Sequence, residues 1–151
     1  RRSSSSSSNP NSLILSNDET MTAEVLDELE IILSIIQQHD KAIKVKLLTV
    51  ITKILSNILK DPENEKFRKV RLANPNINSA IVVVDGGMEL MGSCGFDVTT
   101  MPIADGSEET EEFFFFELEE PLDASQNKRK ISKINVINTK LNSLITAINE
   151  N

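Results

Sequence analysis

Apolar residues recur at three- and four-residue steps in three long segments of the chain, the spacing that places side chains on one face of a helix. The first repeat follows Ser16 and Glu19, which have the spacing of a capping box. Thr20 and Thr22 are later start positions. This pattern predicts a first helix that runs to about Gln38.

A second helix is predicted over about 42–59, where the apolar repeat is uninterrupted. It should end before Asp61-Pro62, because the residue before a proline is pushed out of the helical region. A third long helix is predicted to start at Asp123 or Ser125 and to reach about Ile148. The core-facing residues of the three helices are expected to be Val25, Leu26, Leu29, Ile32, Leu33, Ile36, Leu47, Leu48, Ile51, Ile54, Leu55, Ile58, Ile134, Ile137, Leu141, Leu144, Ile145 and Ile148.

Two segments have the alternation of a strand. Residues 67–72 alternate apolar and basic side chains, which predicts a short strand, with a helical turn as the alternative. Because positions four apart share a face in either structure, Phe67 and Arg71 are expected to point the same way. Residues 113–118 include four consecutive phenylalanines, and in a strand neighbouring rings face opposite sides.

Shorter elements complete the pattern. Residues 76–84 predict a short helix, and another should run from Met88 to near Gly95 after the Gly86-Gly87 pair. The acidic stretch 105–112 predicts a solvated loop. The expected fold class is therefore α+β, a mainly helical bundle with a small antiparallel sheet.

Composition predicts one ordered domain in this chain of 151 residues. Residues 1–16 are rich in Ser and Asn, with too few apolar side chains to offset the entropy of ordering, so we expect a disordered tail there and a folded domain over 17–151. The chain opens on Arg1-Arg2 rather than Met, from which we expect a piece of a longer protein.

Targeting signals and cysteine usage point to the cytosol or nucleus. No window has the roughly 18 consecutive apolar residues of a membrane span, and the start lacks the apolar stretch of a secretory signal. Cys94 is the only cysteine and no Asn-x-Ser/Thr sequon occurs, which argues against an oxidising or glycosylating compartment.

Charge is unevenly distributed along the chain. Residues 41–71 carry nine basic and three acidic side chains, whereas the whole chain has a net charge of -7, so the remainder carries -13. A local excess of positive charge on an acidic protein indicates an anionic partner, with a solvated helix face as the alternative.

Candidate catalytic groups are few. His39 is the only histidine and lies at the end of the first predicted helix, where an imidazolium stabilises the helix dipole. Cys94 lies in an apolar helix and is expected to be a buried small side chain. A zinc site needs more Cys and His ligands than the chain has, and the acidic loop lacks the pattern of a calcium-binding hand. We therefore expect no enzyme activity, no metal site and no cofactor.

The clearest motif runs from Asn57 to Asn74. A helix ends in Asn57, a turn containing Pro62 follows, and the sequence Phe-Arg-x-x-Arg-x-x-Asn spans 67–74. A glycine-led helix at 86–91 and the pair Gly95-Phe96 come next. This ordered set, with similar spacing from about Leu26 to Ile148, resembles the PUB domain of peptide N-glycanases and of some ubiquitin-pathway proteins.

The resemblance implies a binding module that recognises the acidic, aromatic-containing C-terminal tail of the valosin-containing AAA ATPase. Such a module would recruit its parent protein in ubiquitin-linked quality control, including ER-associated degradation by the proteasome. Many members have Tyr where this chain has Phe67. The resemblance places the peptide-binding residues at Asn57, Phe67, Arg71 and Asn74, with Gly95 and Phe96 on the rim and Lys66 as a further candidate.

Alternatives remain open for each of these residues and for the whole chain. Asn57 is also explained as a surface residue near a helix end, Asn74 as the shaper of the Asn-Pro turn, Arg71 as the partner of an acidic neighbour and Phe67 as core. Nucleic-acid binding through 41–71 is the second functional hypothesis, although the acidic total disfavours it. A homo-oligomeric helical scaffold built on the Phe run is the third, against an expected monomer.

Overall fold

The computed structural model describes residues 16–120 and 125–150, with side chains from Ala23 onwards. The predicted tail therefore lies outside the described residues except for Ser16, and so does the candidate cap Asp123. The capping role of Ser16 is likewise untested, because its side chain is not described.

Three long helices form the body of the molecule. Helix α1 spans Ser16–Ile36, α2 spans Lys41–Lys60 and α6 spans Ser125–Glu150. Helix α2 packs against α6, and α1 packs against both α6 and the later helix α5. The predicted helices are confirmed, with ends that differ by one or two residues from the expected ones.

Short elements connect α2 to the sheet. Helix α3 is a single turn at Glu65–Arg68, and strand β1 follows directly at Lys69–Arg71. Helix α4 at Pro75–Ile77 continues into a π-helical turn at Asn78–Val82. Helix α5, Gly87–Cys94, starts where a Cβ on Gly87 would lie 2.2 Å from the Ile81 carbonyl oxygen.

A three-stranded antiparallel sheet closes one end of the bundle. Strand β2 spans Phe96–Pro102 and β3 spans Thr110–Phe116, and the strand order is β1-β3-β2. In the centre of the sheet Phe114 pairs with Val70 on one side and with Val98 on the other. The fold is thus α+β and mainly helical, as predicted.

One continuous core joins the helices and the sheet. The predicted apolar faces of α1, α2 and α6 are buried or partly buried in it. The sheet contributes Phe96, Phe114 and Phe116, and α5 contributes Leu90, Met91 and Cys94. The alternation predicted for the Phe run is confirmed, because Phe114 and Phe116 belong to this cluster whereas Phe113 and Phe115 face away from it.

Three local predictions need correction. Strand β2 was not expected, and β3 starts at Thr110 and ends at Phe116 rather than covering 113–118. The acidic loop is therefore shorter than 105–112, because Glu111 and Glu112 belong to a strand. These errors have one cause: exposed polar residues on a hairpin carry little hydrophobic alternation, so pairing between strands decides where these strands lie.

The orientation argument for Phe67 and Arg71 was also wrong. The backbone changes from helix to strand between them, so neither the helical nor the strand period applies over the four residues. Phe67 packs against the core, while Arg71 is exposed on the opposite face of the sheet from Val70.

Over the ranges 16–120 and 125–150, no helix is long and apolar enough to cross a membrane.

Candidate functional site

The turn after α2 positions the first group of candidate residues. Asn57 is half-buried in the last turn of α2, and its carbonyl oxygen accepts a hydrogen bond from the Asp61 N–H at 3.1 Å. The Asn64 side chain then caps α3 by accepting from the Lys66 N–H at 3.0 Å. The cap starts a new helical turn that presents Lys66 to solvent and packs Phe67 partly against the core.

Arg71 ends β1 and is held by an acidic residue of β3. Its Nε and Nη2 groups donate to the two carboxylate oxygens of Glu111, the second bond being 2.9 Å long. This hydrogen-bonded pairing, reinforced by the opposite charges, raises the pKa of Arg71. The hydrogen bond from Arg71 lowers the pKa of Glu111. Desolvation opposes this shift in part, and the positive charge of Arg71 adds to it.

Asn74 is exposed and caps helix α4. Its side-chain oxygen accepts from the Asn76 N–H at 2.9 Å, and its own N–H donates to the Arg71 carbonyl at 3.3 Å. The residue therefore shapes the Asn-Pro turn, as the structural alternative expected. The side-chain amide nitrogen has no hydrogen-bond partner among the described residues, so the capping role leaves that donor to a ligand.

Gly95 and Phe96 lie at the other end of the sheet. Gly95 is exposed with φ of +106°, and a Cβ there would lie 3.1 Å from Cε1 of Phe116. Phe96 is 3% exposed and its ring packs at 5.5 Å from the ring of Phe116. Gly95 can thus line a surface, whereas Phe96 belongs to the core beneath it rather than to an exposed rim.

The seven candidates do not form one tight pocket. Arg71 pairs with Phe113 on one side of β3, and Phe96 pairs with Phe116 on the other side. Three residues along a strand and two strand spacings across put these positions roughly 14 Å apart. The arrangement suits an extended ligand better than a single side chain.

Two cations missed by the site prediction lie over the outward-facing phenylalanines. The Arg68 guanidinium is 5.6 Å from the Phe115 ring centroid and also donates to the Phe116 carbonyl at 3.3 Å. The Lys69 ammonium is 4.8 Å from the Phe113 ring centroid. The charge of this segment was readable from the sequence, but its contact with the Phe run depends on strand register.

A groove adjoins the Arg71 end of the site. Leu72 and Ala73, which lie between Arg71 and Asn74 in the chain, line it, and Val82 of the π-helical turn contributes apolar surface. Thr110, Glu111 and Glu112 of β3 also line the groove. The groove thus combines apolar surface with the carboxylates of Glu111 and Glu112.

His39 and Cys94, the candidate catalytic residues, have structural roles in the fold. His39 is hydrogen-bonded through Nε2 to the Asp85 carbonyl oxygen at 3.0 Å, which ties the end of α1 to the turn before α5. Cys94 is buried as predicted, and this burial raises the pKa of its thiol to about 12, so the thiol is protonated at neutral pH. Within the described part of the chain, no three His, Cys, Asp or Glu side chains are placed to hold a metal ion.

Sequence comparisons identify relatives over parts of the chain. UBX domain-containing protein 6 of Homo sapiens is 31% identical over 102 residues, which cover 65% of this chain and 23% of that protein. Plant UBX domain-containing protein 2 of Arabidopsis thaliana is 47% identical over 51 residues, covering 34% of this chain and 11% of that protein. UBX domain-containing protein 6 of Mus musculus is 38% identical over 72 residues, or 47% of this chain and 16% of that protein. The chain thus spans less than a quarter of the length of these curated relatives.

The family comparison covers a continuous central part of the chain. The sequence model of the PUB domain matches residues 41–129, more than half of the chain. The match includes α2, the sheet and all seven candidate site residues. The chain therefore belongs to the PUB domain family.

Proposed function

We propose that this chain is a peptide-binding adaptor module for the acidic, aromatic-containing C-terminal tail of the valosin-containing AAA ATPase. In this role it brings its parent protein to the ATPase in ubiquitin-linked protein quality control, in the cytosol or nucleus. It acts as a monomer, by binding rather than by catalysis, and needs no cofactor.

The observation that carries this proposal is the family match over residues 41–129. The motif from Asn57 to Asn74 and the Gly95-Phe96 pair both lie inside it, in the order that the family pattern requires. The similarity to UBX domain-containing proteins supports a ubiquitin-pathway adaptor role.

The geometry of the site supports an extended acidic ligand. An extended peptide of five residues reaches at most about 17 Å, enough to span the roughly 14 Å from Arg71 to the end of the sheet where Gly95 is exposed. Arg68, Lys69 and Arg71 follow one another along the start of this path. A peptide whose carboxylates contact these cations and whose aromatic ring enters the groove beside Leu72 matches both features.

Calorimetric titration tests the proposal directly. The ligand is a synthetic acidic peptide of about ten residues with one aromatic side chain near its end and a free C-terminal carboxylate. The matched control peptide has alanine in place of the aromatic residue. We expect saturable binding of the first peptide and at least roughly tenfold weaker binding of the second, because a buried aromatic ring contributes most through removal of its apolar surface from water.

The absence of binding up to millimolar peptide would contradict the proposal. Equal binding of the two peptides would also contradict it, since the surface would then recognise negative charge alone.

The nucleic-acid hypothesis is weakened by the structure of the basic segment. Five of its nine cations already have partners within the chain: Lys44 with Gln37, Lys46 with Ser79, Arg71 with Glu111, and Arg68 and Lys69 with phenylalanine rings. A nucleic acid bound through several phosphates loses affinity steeply as salt rises. Tight binding of a single-stranded or duplex oligonucleotide at physiological salt would favour this alternative over the peptide.

The oligomeric scaffold has lost its main support. Phe113, Phe114 and Phe116 are buried within one chain, and Phe115 is half-buried beneath Arg68. The Phe run is therefore covered without a second copy. A sedimentation experiment that gives the mass of a dimer or larger assembly would favour the scaffold over the proposed monomer.

A further inference from the structure

Glu111 is hydrogen-bonded to the Arg71 guanidinium, the group that would bind a carboxylate of an acidic ligand. Both carboxylate oxygens of Glu111 accept hydrogen bonds from Arg71, one from Nε and one from Nη2. This two-pronged geometry is the one that arginine uses to bind any planar carboxylate, whether from its own chain or from a ligand. The side chain of Glu111 thus fills the position in which a peptide carboxylate would contact Arg71.

The backbone holds Glu111 in place for this contact. Glu111 is paired with Met101 of β2, and the Leu72 N–H donates to the Glu112 carbonyl at 3.2 Å. The ladder continues beyond the strands through the Ile103 N–H, which donates to the Glu109 carbonyl at 3.0 Å. The carboxylate is therefore presented from a hydrogen-bonded hairpin and not from a free loop.

The pair is nevertheless accessible to a competitor. The Arg71 side chain is 49% exposed and the Glu111 side chain is 26% exposed, and Glu111 lines the groove beside Leu72 and Ala73. Water screens charges at such a position, so an exposed ion pair contributes little net stability. A carboxylate that arrives from solution can displace Glu111 without disrupting the core.

We propose that Glu111 is an internal competitor that sets the affinity and the charge selectivity of the peptide site. The ligand class is an acidic peptide, whose carboxylate must replace that of Glu111 on Arg71. This inference rests on the proposed function and adds a specificity-determining residue that the PUB motif does not contain. Neutral peptides gain nothing from Arg71 and must still bind beside the closed ion pair, so the competition favours ligands that carry a well-placed carboxylate.

The test replaces Glu111 by glutamine in the full 151-residue chain. Glu111→Gln keeps the shape of the side chain and removes its charge. Glu112→Gln is the matched control, because it makes the same charge change one residue away in the same groove, whereas the hydrogen bonds of Arg71 go to Glu111. Each protein is titrated with the acidic peptide and with a version whose Asp and Glu residues are Asn and Gln.

We expect Glu111→Gln to bind the acidic peptide about two- to fivefold more tightly than the parent chain, the amount that an exposed ion pair can contribute. Glu112→Gln should change this affinity less than about twofold, because the screened charge does not contact Arg71. For the neutralised peptide, the gain produced by Glu111→Gln should disappear.

The outcomes separate the inference from the proposed function. If the parent chain and Glu111→Gln both fail to bind either peptide, the proposed function falls and the inference with it. If the parent chain binds the acidic peptide and Glu111→Gln binds it equally or more weakly, only the inference is overturned. Equal gains from Glu111→Gln and Glu112→Gln also overturn it, because the effect would then be one of net charge.

Discussion

Asn74 shows how a single side chain serves the fold with one atom and leaves another for a ligand. Its oxygen caps α4 through the Asn76 N–H at 2.9 Å. Its amide nitrogen has no partner in the ranges 16–120 and 125–150. A truncation to alanine removes both atoms together, so it cannot distinguish a structural from a binding role.

Serine separates the two roles, because it caps a helix N-terminus about as well as asparagine but has no amide. We expect Asn74→Ser to keep the stability of the parent chain and to weaken acidic-peptide binding by about 1–3 kcal/mol. Asn74→Ala should additionally lose about 1 kcal/mol of unfolding free energy. Urea denaturation and calorimetry measure the two quantities.

Asn76→Ser is the matched control for this experiment, since it makes the same chemical change at an exposed neighbour. If Asn74→Ser and Asn76→Ser bind the peptide as tightly as the parent chain, Asn74 is a cap and not part of the site.

Titration of Glu111 tests whether its ion pair with Arg71 forms in solution. Arg71 lowers the pKa of the Glu111 carboxyl below its ordinary value of 4.5. A group with a lowered folded pKa contributes its stability above the unfolded pKa and loses it as the pH falls through the folded pKa. The ion pair should therefore be intact at pH 5 and above, and open only at pH values below about 4.5.

NMR titration of the Glu111 side-chain carbon measures this midpoint directly. We expect Arg71→Gln to move the midpoint upward, toward that of an ordinary glutamate. A midpoint that is the same in both proteins would mean that the pair does not persist in solution, and the competition proposed for Glu111 would then lose its basis.

Among the helices and strands, the start of α5 is where an added side chain would come closest to another backbone segment. A Cβ on Gly87 would lie 2.2 Å from the Ile81 carbonyl oxygen, while a Cβ on Gly92, in the same helix, meets nothing within 4 Å outside that helix. The π-helical turn can therefore pack this closely against the start of α5 only because Gly87 has no side chain.

This contrast predicts opposite effects of the same substitution. Gly87→Ala should lower the free energy of unfolding by about 1–3 kcal/mol, because the backbone must move to accept the methyl group. Gly92→Ala should raise it by up to about 1 kcal/mol, since alanine favours the helix over glycine. Chemical denaturation of the two variants and the parent chain measures these free energies. Equal changes in the two variants would show that the close approach at Gly87 is relaxed in solution.

The whole molecule has one core, and Cys94 lies inside it. Residues from α1, α2, α5, α6 and the sheet all belong to the same buried cluster. Burial keeps the Cys94 thiol protonated, with a pKa raised to about 12. Because the thiolate is the reactive form, both access and ionisation are suppressed in the native state.

Cys94 should therefore report the opening of the entire domain. We expect a thiol reagent such as Ellman's reagent to react slowly at pH 8 in buffer and rapidly in concentrated urea, with a midpoint that coincides with loss of helical circular dichroism. Cys94→Ala provides the blank. Fast labelling in buffer, while the circular dichroism is unchanged, would show that α5 opens independently of the rest of the fold.

Much of the fold was predictable because the long helices follow from the spacing of apolar residues along the chain. The three long helices were found from apolar residues on one face, and these faces form most of the core. Chain position also placed Cys94 correctly in a buried helix. The family resemblance followed from residue types in a fixed order, which a sequence displays directly, and the match over 41–129 confirmed it.

The sheet was predicted only in part, because pairing partners are distant in the chain. Strand β2 has mostly exposed side chains, and its apolar alternation is limited to Phe96 and Val98, too short a pattern to reveal the strand. Phe67 and Arg71 fell on different faces because the backbone changes from helix to strand between them, a change that local periodicity did not predict.

The amino-acid sequence alone determined the helical faces, the PUB family and the set of candidate binding residues. Only the tertiary structure decided which of these residues already have partners: Arg71 with Glu111, 40 positions later, and Arg68 and Lys69 with the Phe run. Helix formation and capping depend on residues a few positions apart, so they can be read locally. Contacts across β1 and β3 depend on strand register, which is set only when the core of the whole chain assembles.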